Sequence, residues 1–193
     1  MNKLNFKGSA MLNPTPVVLV VSKSISNKLN IFTVGWVSTV CTKKPIVAMG
    51  IRPERLSHKY IKESGQCSIN LPTKDMTTIV DYCGVVSGKK EDKIKHFNLK
   101  LNKGISISTP SLERSPVALE CKLLSIAPLG THDLFLLEIS NVKVDKNLLD
   151  LNNKIHFEKA NLICYSHGEY YSLNSKPLGH FGYSIKRRNK APR

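Results

Sequence analysis

The chain has 193 residues and a formal net charge of +15, from 29 Lys+Arg against 14 Asp+Glu. That length suits one domain with a sizeable core and is too short for two, and an apolar fraction of 41% excludes wholesale disorder. Five cysteines (Cys41, Cys67, Cys83, Cys121, Cys164) are an odd number without a C-x-x-C pair, which argues against a disulfide framework or a zinc ribbon and for a reducing cytoplasm.

In chain order, Val17 to Ser22, with its apolar run VVLVV (Val17 to Val21), reads as a buried strand. It is too short to span a membrane, follows two prolines and lacks a cleavage pattern, so neither an anchor nor a signal peptide is expected. Asn30 to Thr39 is a second predicted strand and Pro45 to Ile51 a third. Ser57 is the expected N-cap of a helix whose apolar face holds Tyr60 and Ile61 and which Gly65 stops. Cys67 to Pro72 alternates like a strand, and Asp75 is the expected cap of a short helix, MTTIVDYC, ending at Gly84.

The second half is β-rich. GISISTP, VALECKLLSIAPLG, DLFLLEISNVKVD and NLICYSHGEYYSL run at strand length between Pro, Gly and Asn punctuation. The pattern predicts a mainly β protein with short helices, a closed or half-closed barrel and not a doubly wound sheet. No G-x-G-x-x-G follows a strand. The positive charge is scattered lysine, with one dense patch in the tail Ser184 to Arg193. Without aromatic-interleaved basic stripes, a nucleic-acid-binding protein is the remote alternative.

Several stretches can carry chemistry. In FTVGWVSTVCTKKP (Phe32 to Pro45) the only tryptophan, Trp36, sits among hydroxyls and a thiol, and no charge appears before Lys43. In GIRPERLSHK, residues Arg52, Arg55, Ser57 and His58 crowd a strand-to-helix junction, which suits either a phosphate seat or a solvated turn with a capping serine. YCGVVSGKKEDK is either a loop that approaches a ligand closely or an ordinary exposed connection, and its Cys83 is either a reactive thiol or a small buried hydrophobe. GTHDLFLLEI sets His132 and Asp133 at the mouth of an apolar strand, where the histidine serves a substrate or the turn itself. No Ser-His-Asp order, H-E-x-x-H helix, P-loop or metal-ligand spacing is visible, so the chemistry would be borrowed from an organic cofactor.

Taken in order, PVVLVVS, the run NIFTVGWVSTVCTKKPIVAMGIRPERLSHKYI, SINLP, YCGVVSGKKEDK and GTHDLFLLEI resemble the flavin reductase-like family, and within it the flavoredoxin branch. The resemblance covers about Pro14 to Phe181 of a single 1–193 domain. It implies an FMN-binding split β-barrel in a homodimer, with the aromatic HGEYY and LGHFGY turns suited to the interface. It places Thr33, Trp36, Ser38 and Thr39 along the flavin, although Trp36 fits a barrel wall equally well. Arg52, Arg55, Ser57 and His58 fall at the FMN phosphate; Cys83, Ser87 and Lys93 fall in the loop against the cofactor; and His132 falls on the nicotinamide or substrate side. The turn here is GTH followed by Asp, the flavoredoxin-like form, which differs from the GDH turn of reductases that feed monooxygenases. The implied activity is transfer of a hydride from NAD(P)H to FMN and of electrons onward to free flavin, ferric iron, oxygen or a redox protein. The alternative is a non-catalytic FMN-binding electron carrier. Neither a metal nor a nucleic-acid or membrane partner is expected.

Overall fold

The computed structural model describes residues 2–173 and 176–185. Most of the basic tail singled out in the sequence, from residue 186 on, lies outside them. The first half holds β1 (Thr15–Pro16), β2 (Val18–Lys23), β3 (Leu29–Val34), β4 (Val37–Cys41), β5 (Ile46–Ile51), α1 (Leu56–Ser64) and β6 (Gln66–Leu71). Then come α2 (Thr77–Val85), α3 (Lys93–His96), β7 (Leu101–Asn102) and β8 (Ser111–Leu112). The long pair β9 (Val117–Pro128) and β10 (Asp133–Val144) follows, and the hairpin β11 (Ile163–Ser166) and β12 (Glu169–Ser172) ends the fold.

Seven strands pair antiparallel in the order β3-β2-β6-β9-β10-β5-β4, while β1, β11 and β12 form a smaller sheet. Inward-facing residues from both ends of the large sheet share one core, including Val20, Phe32, Met49, Ile69, Phe135 and Leu137. The sheet therefore wraps around that core, yet β3 and β4 do not pair, and the barrel is split between them. β2 explains the VVLVV run. Its Val18 and Val20 face the barrel core, while Leu19 and Val21 pack against Met76, Ile79 and Val80 at and within α2. A strand covered on both faces reads as continuous apolar sequence.

Four local expectations are corrected. The single strand over Asn30 to Thr39 is two, because the chain bends at Gly35 and Trp36 to move from pairing with β2 to pairing with β5. The bend is pinned by Gly50 N–H donating to the Trp36 carbonyl at 2.9 Å. Arg55, not Ser57, is the N-cap of α1; the Ser57 hydroxyl is drawn inside, 2.7 Å from Ser22 Oγ and accepting from Asn30 Nδ2 at 2.8 Å. Gly65 does close α1, at φ 68° with its N–H on the Ile61 carbonyl. Asp75 sits in a 3-10 turn before α2 and receives Arg114 Nη2 at 2.6 Å, and α2 runs through Gly84 to Val85.

GISISTP is not a strand, because side chains have taken its backbone groups. Ile105 and Ser106 donate their N–H groups to the Glu120 carboxylate, at 2.9 and 2.6 Å, and Ser108 N–H donates to Gln66 Oε1 at 2.7 Å. Glu120 is fully buried on β9 and also meets Lys143 Nζ at 3.0 Å. Burial pushes its pKa up, but the donors of Ser106 and Ile105 and the Lys143 ammonium outweigh that and hold it at about 2. A carboxyl held below its ordinary 4.5 stabilises the fold above that pH and loses the contribution as the pH falls toward 2. The urea midpoint of the wild type should thus drop between about pH 5 and pH 2.5. Glu120→Gln should be less stable at pH 7 and show a shallower drop. Parallel pH profiles would remove Glu120 from the account.

Candidate functional site

Two adjoining cavities, of about 330 and 380 Å³, meet at the split of the barrel and share Thr33, Gly35 and Trp36. Each is within the size of small-molecule sites, about 300–1,000 Å³. The first is an aromatic lobe, bounded by Val17 just before β2, Asp81 and Gly84 from α2, and Tyr165 and Tyr170 from the last hairpin. The second is a basic lobe, bounded by Gly50 and Ile51 at the end of β5, Arg52, Arg55 and His132.

No carboxylate is among the residues that line the basic lobe. Arg55 Nη2 donates to the Gly84 carbonyl at 2.8 Å, which ties it to the last turn of α2, and it makes no ion pair among the described residues. Arg52 meets Glu54 at 3.2 Å, but both are half exposed and the pair is weak. An anion entering this lobe therefore meets two guanidinium groups with little competing negative charge. His132 sits in the β9–β10 connection, its Nδ1 3.0 Å from Thr131 Oγ1. Gly50 leaves room for Trp36: a Cβ there would lie 3.3 Å from Trp36 Cβ, a tight contact, and at an ordinary 3.9 Å from His132 Cδ2.

The aromatic lobe is uncharged apart from Asp81. The Tyr170 hydroxyl donates to Asp81 Oδ1 at 3.1 Å, and burial, then the Asp81 charge, pushes its pKa up to about 12. The Tyr165 and Tyr170 rings lie 5.6 Å apart. Thr33 Oγ1 donates to the Val80 carbonyl at 2.5 Å, so its lone pairs are what it can offer a ligand.

Of the residues singled out by sequence, the fold brings Thr33, Trp36, Arg52, Arg55 and His132 together. The others lie elsewhere. Ser38 and Thr39 are exposed on β4 and line neither cavity. Ser57 is sealed among Ser22 and Asn30, and His58 Nε2 is held by Asp133 Oδ2 at 2.7 Å against the Phe135 ring. Cys83 is the buried hydrophobe of the two readings, its thiol pushed up to about 11 by burial. Ser87 Oγ accepts from Lys89 N–H at 3.2 Å. Lys93 is almost fully buried, which lowers its pKa, and its ammonium donates to the Val86 and Cys83 carbonyls at 2.9 and 3.4 Å. It caps the end of α2 from within. Asp81, Tyr165 and Tyr170 were not singled out as ligand contacts. The lone acid in the apolar helix segment IVDYC was the available signal for the first; nothing local marks which rings of the hairpin face a cavity.

The chain belongs to the flavin reductase-like family, whose domain, described as flavin reductase like, matches residues 10–174. An uncharacterized protein of Archaeoglobus fulgidus is 30% identical over 68% of this chain and 73% of its own length. Among solved structures, a flavoredoxin of Desulfovibrio vulgaris (Miyazaki F) superposes with a TM-score of 0.88 at 26% identity, covering 95% of this chain and all of that one. An FMN-binding protein from Thermus thermophilus superposes at 0.78 with 21% identity, over 93% of this chain and all of that one, a likeness of fold. The split barrel expected from sequence is thus the fold of this chain.

Trp36, the only tryptophan, borders both lobes and is 41% exposed, so its emission reports on the groove. Titrating flavin-free protein with FMN should quench that emission saturably. A loss that grows linearly with added flavin, with no saturation, would mean that the ligand does not seat beside Trp36.

Proposed function

We propose that the protein is an FMN-binding oxidoreductase that takes a hydride from NAD(P)H and passes electrons to free flavin, ferric iron or a redox protein. The observation that carries the reading is the pairing of an acid-free basic lobe with an aromatic, nearly neutral one across Thr33, Gly35 and Trp36. These residues fit FMN. Arg52 and Arg55 suit its phosphate, the Trp36, Tyr165 and Tyr170 rings supply flat apolar surface, and Thr33 offers an acceptor to a ring N–H. FMN, when bound, supplies the hydride- and electron-accepting chemistry. The chain's own part is to orient, exclude water and place a donor: His132 stands where a nicotinamide or acceptor entering the groove would meet it.

The likeness to a flavoredoxin supports a second reading, an FMN-binding electron carrier without nicotinamide turnover. A homodimer is supported by the open edge of β4, where Val40 and the neighbouring Trp36 are exposed. Five free cysteines favour a cytoplasmic setting. No helix among the described residues is long and apolar enough to cross a membrane.

Arg55→Ala should weaken FMN binding by about 1.5–3 kcal/mol and leave riboflavin, which lacks the phosphate, nearly unchanged. Equal losses for the two ligands, measured by equilibrium titration, would assign Arg55 to the α2 tether alone. His132→Ala should keep FMN bound and slow its reduction by NAD(P)H about ten- to a hundredfold in stopped flow. Wild-type reduction rates in a stable, flavin-loaded variant would exclude His132 from the reaction. No reduction of the wild type by either nicotinamide would favour the carrier.

A further inference from the structure

His58 and Asp133 stand 75 residues apart and meet where α1 and β10 begin, with His58 Nε2 2.7 Å from Asp133 Oδ2. A carboxylate only accepts, so the imidazole is the donor. The two side chains are 11% and 18% exposed, which leaves water little room to compete for the contact. Phe135 shares the face of β10 with Asp133, two residues along the strand. Its ring meets the same imidazole in a T-shaped contact at 5.0 Å and restrains the plane of the donor.

Each partner sits beside a residue of the basic lobe, which Arg55 and His132 both line. One turn before His58 is Arg55, the N-cap of α1, whose carbonyl takes the His58 N–H at 3.0 Å. Directly before Asp133 is His132. The two sides of the lobe are not held alike. Arg55 is tied to a second element, through Nη2 on the Gly84 carbonyl. His132 ends a turn whose residues 127–131 are all exposed, and the bonds it makes, with Leu129 N–H and Thr131 Oγ1, stay within that turn. Behind it, Asp133 pairs with Ile51 of β5 and Pro128 of β9, and its carboxylate carries the anchorage across to α1. The contact thus joins the strand end that bears His132 to the helix start that bears Arg55.

We propose that His58 and Asp133 are positioning residues: their contact fixes the turn of His132 against the helix start of Arg55, so that one bound molecule is met by both. The consequence for flavin reduction rests on the proposed function; the hold on His132 does not. Two substitutions of His58 separate the donor from the packing. His58→Leu keeps apolar volume against Phe135 and removes the donor, whereas His58→Gln keeps a terminal N–H. In flavin-free protein with isotope-labelled histidine, the wild type should give one sharp set of His132 ring signals, assigned by their loss in His132→Ala. His58→Leu should broaden or double that set, and His58→Gln should restore it. The signals of His156, held by Asp150 and Glu158, should stay in place in both.

In stopped flow, His58→Leu should slow reduction of bound FMN by NAD(P)H about fivefold or more, and His58→Gln should stay within about twofold of the wild type. In a His132→Ala background the same His58→Leu substitution should slow it by less than about twofold, because the residue it positions is gone. Equal slowing with and without His132, or His132 ring signals that His58→Leu leaves sharp and unmoved, would overturn the proposal. Should His58→Leu not fold, His58→Leu/Asp133→Asn replaces it, since it removes the buried unpaired carboxylate along with the donor. Should neither nicotinamide reduce the wild type, the proposed function fails and the ring signals alone decide the positioning.

Discussion

The two-residue bend at Gly35 and Trp36 is where the barrel fails to close, and the site exists because of it. β3 ends its pairing with β2 at Val34, and β4 begins pairing with β5 at Val37. A continuous strand would have filled the gap with its own ladder. Instead the Trp36 carbonyl takes the Gly50 N–H, the indole is left against the opening, and both cavities form around it. Gly50 belongs to the same constraint, since a Cβ there would press on Trp36.

The end of α2 is the second fixed wall, and polar side chains hold it there. Thr33 donates to the Val80 carbonyl, Arg55 to that of Gly84, and Lys93 to that of Val86. Burying the Lys93 ammonium costs desolvation, which shows as its lowered pKa. In return the carbonyls at the end of α2, which a helix leaves without partners, are satisfied away from water. Arg55 thus both holds the helix end, through Nη2, and lines the basic lobe.

Much of the fold was legible because burial leaves periodicity in sequence. The doubly covered β2 shows as a continuous apolar run and the long β9–β10 pair as strand-length apolar segments. By contrast β6 alternates in sequence although its Ser68 and Asn70 are buried as well, and Gly65 marks the end of α1 as a left-handed cap. GISISTP was misleading: its alternation is that of a strand, but Glu120 and Gln66 hold its N–H groups. Polar residues were the harder case. Arg55, Ser57 and His58 look alike as candidates in one stretch, and residue type does not say whether the partner is a ligand or the protein. Only Arg55 of these three borders the groove, while Ser57 and His58 are bound to Ser22, Asn30 and Asp133. Tyr170 and Asp81 meet across 89 residues of chain, a contact that no local pattern encodes.

The central claim is that the split at Trp36 holds a flavin mononucleotide. The direct measurement is to precipitate the purified protein with acid, after incubation with an equimolar mixture of FMN, FAD and riboflavin and removal of the unbound excess, and to identify the released flavin by chromatography. The account predicts FMN, close to one per chain. A colourless supernatant, or riboflavin retained as well as FMN, would contradict it.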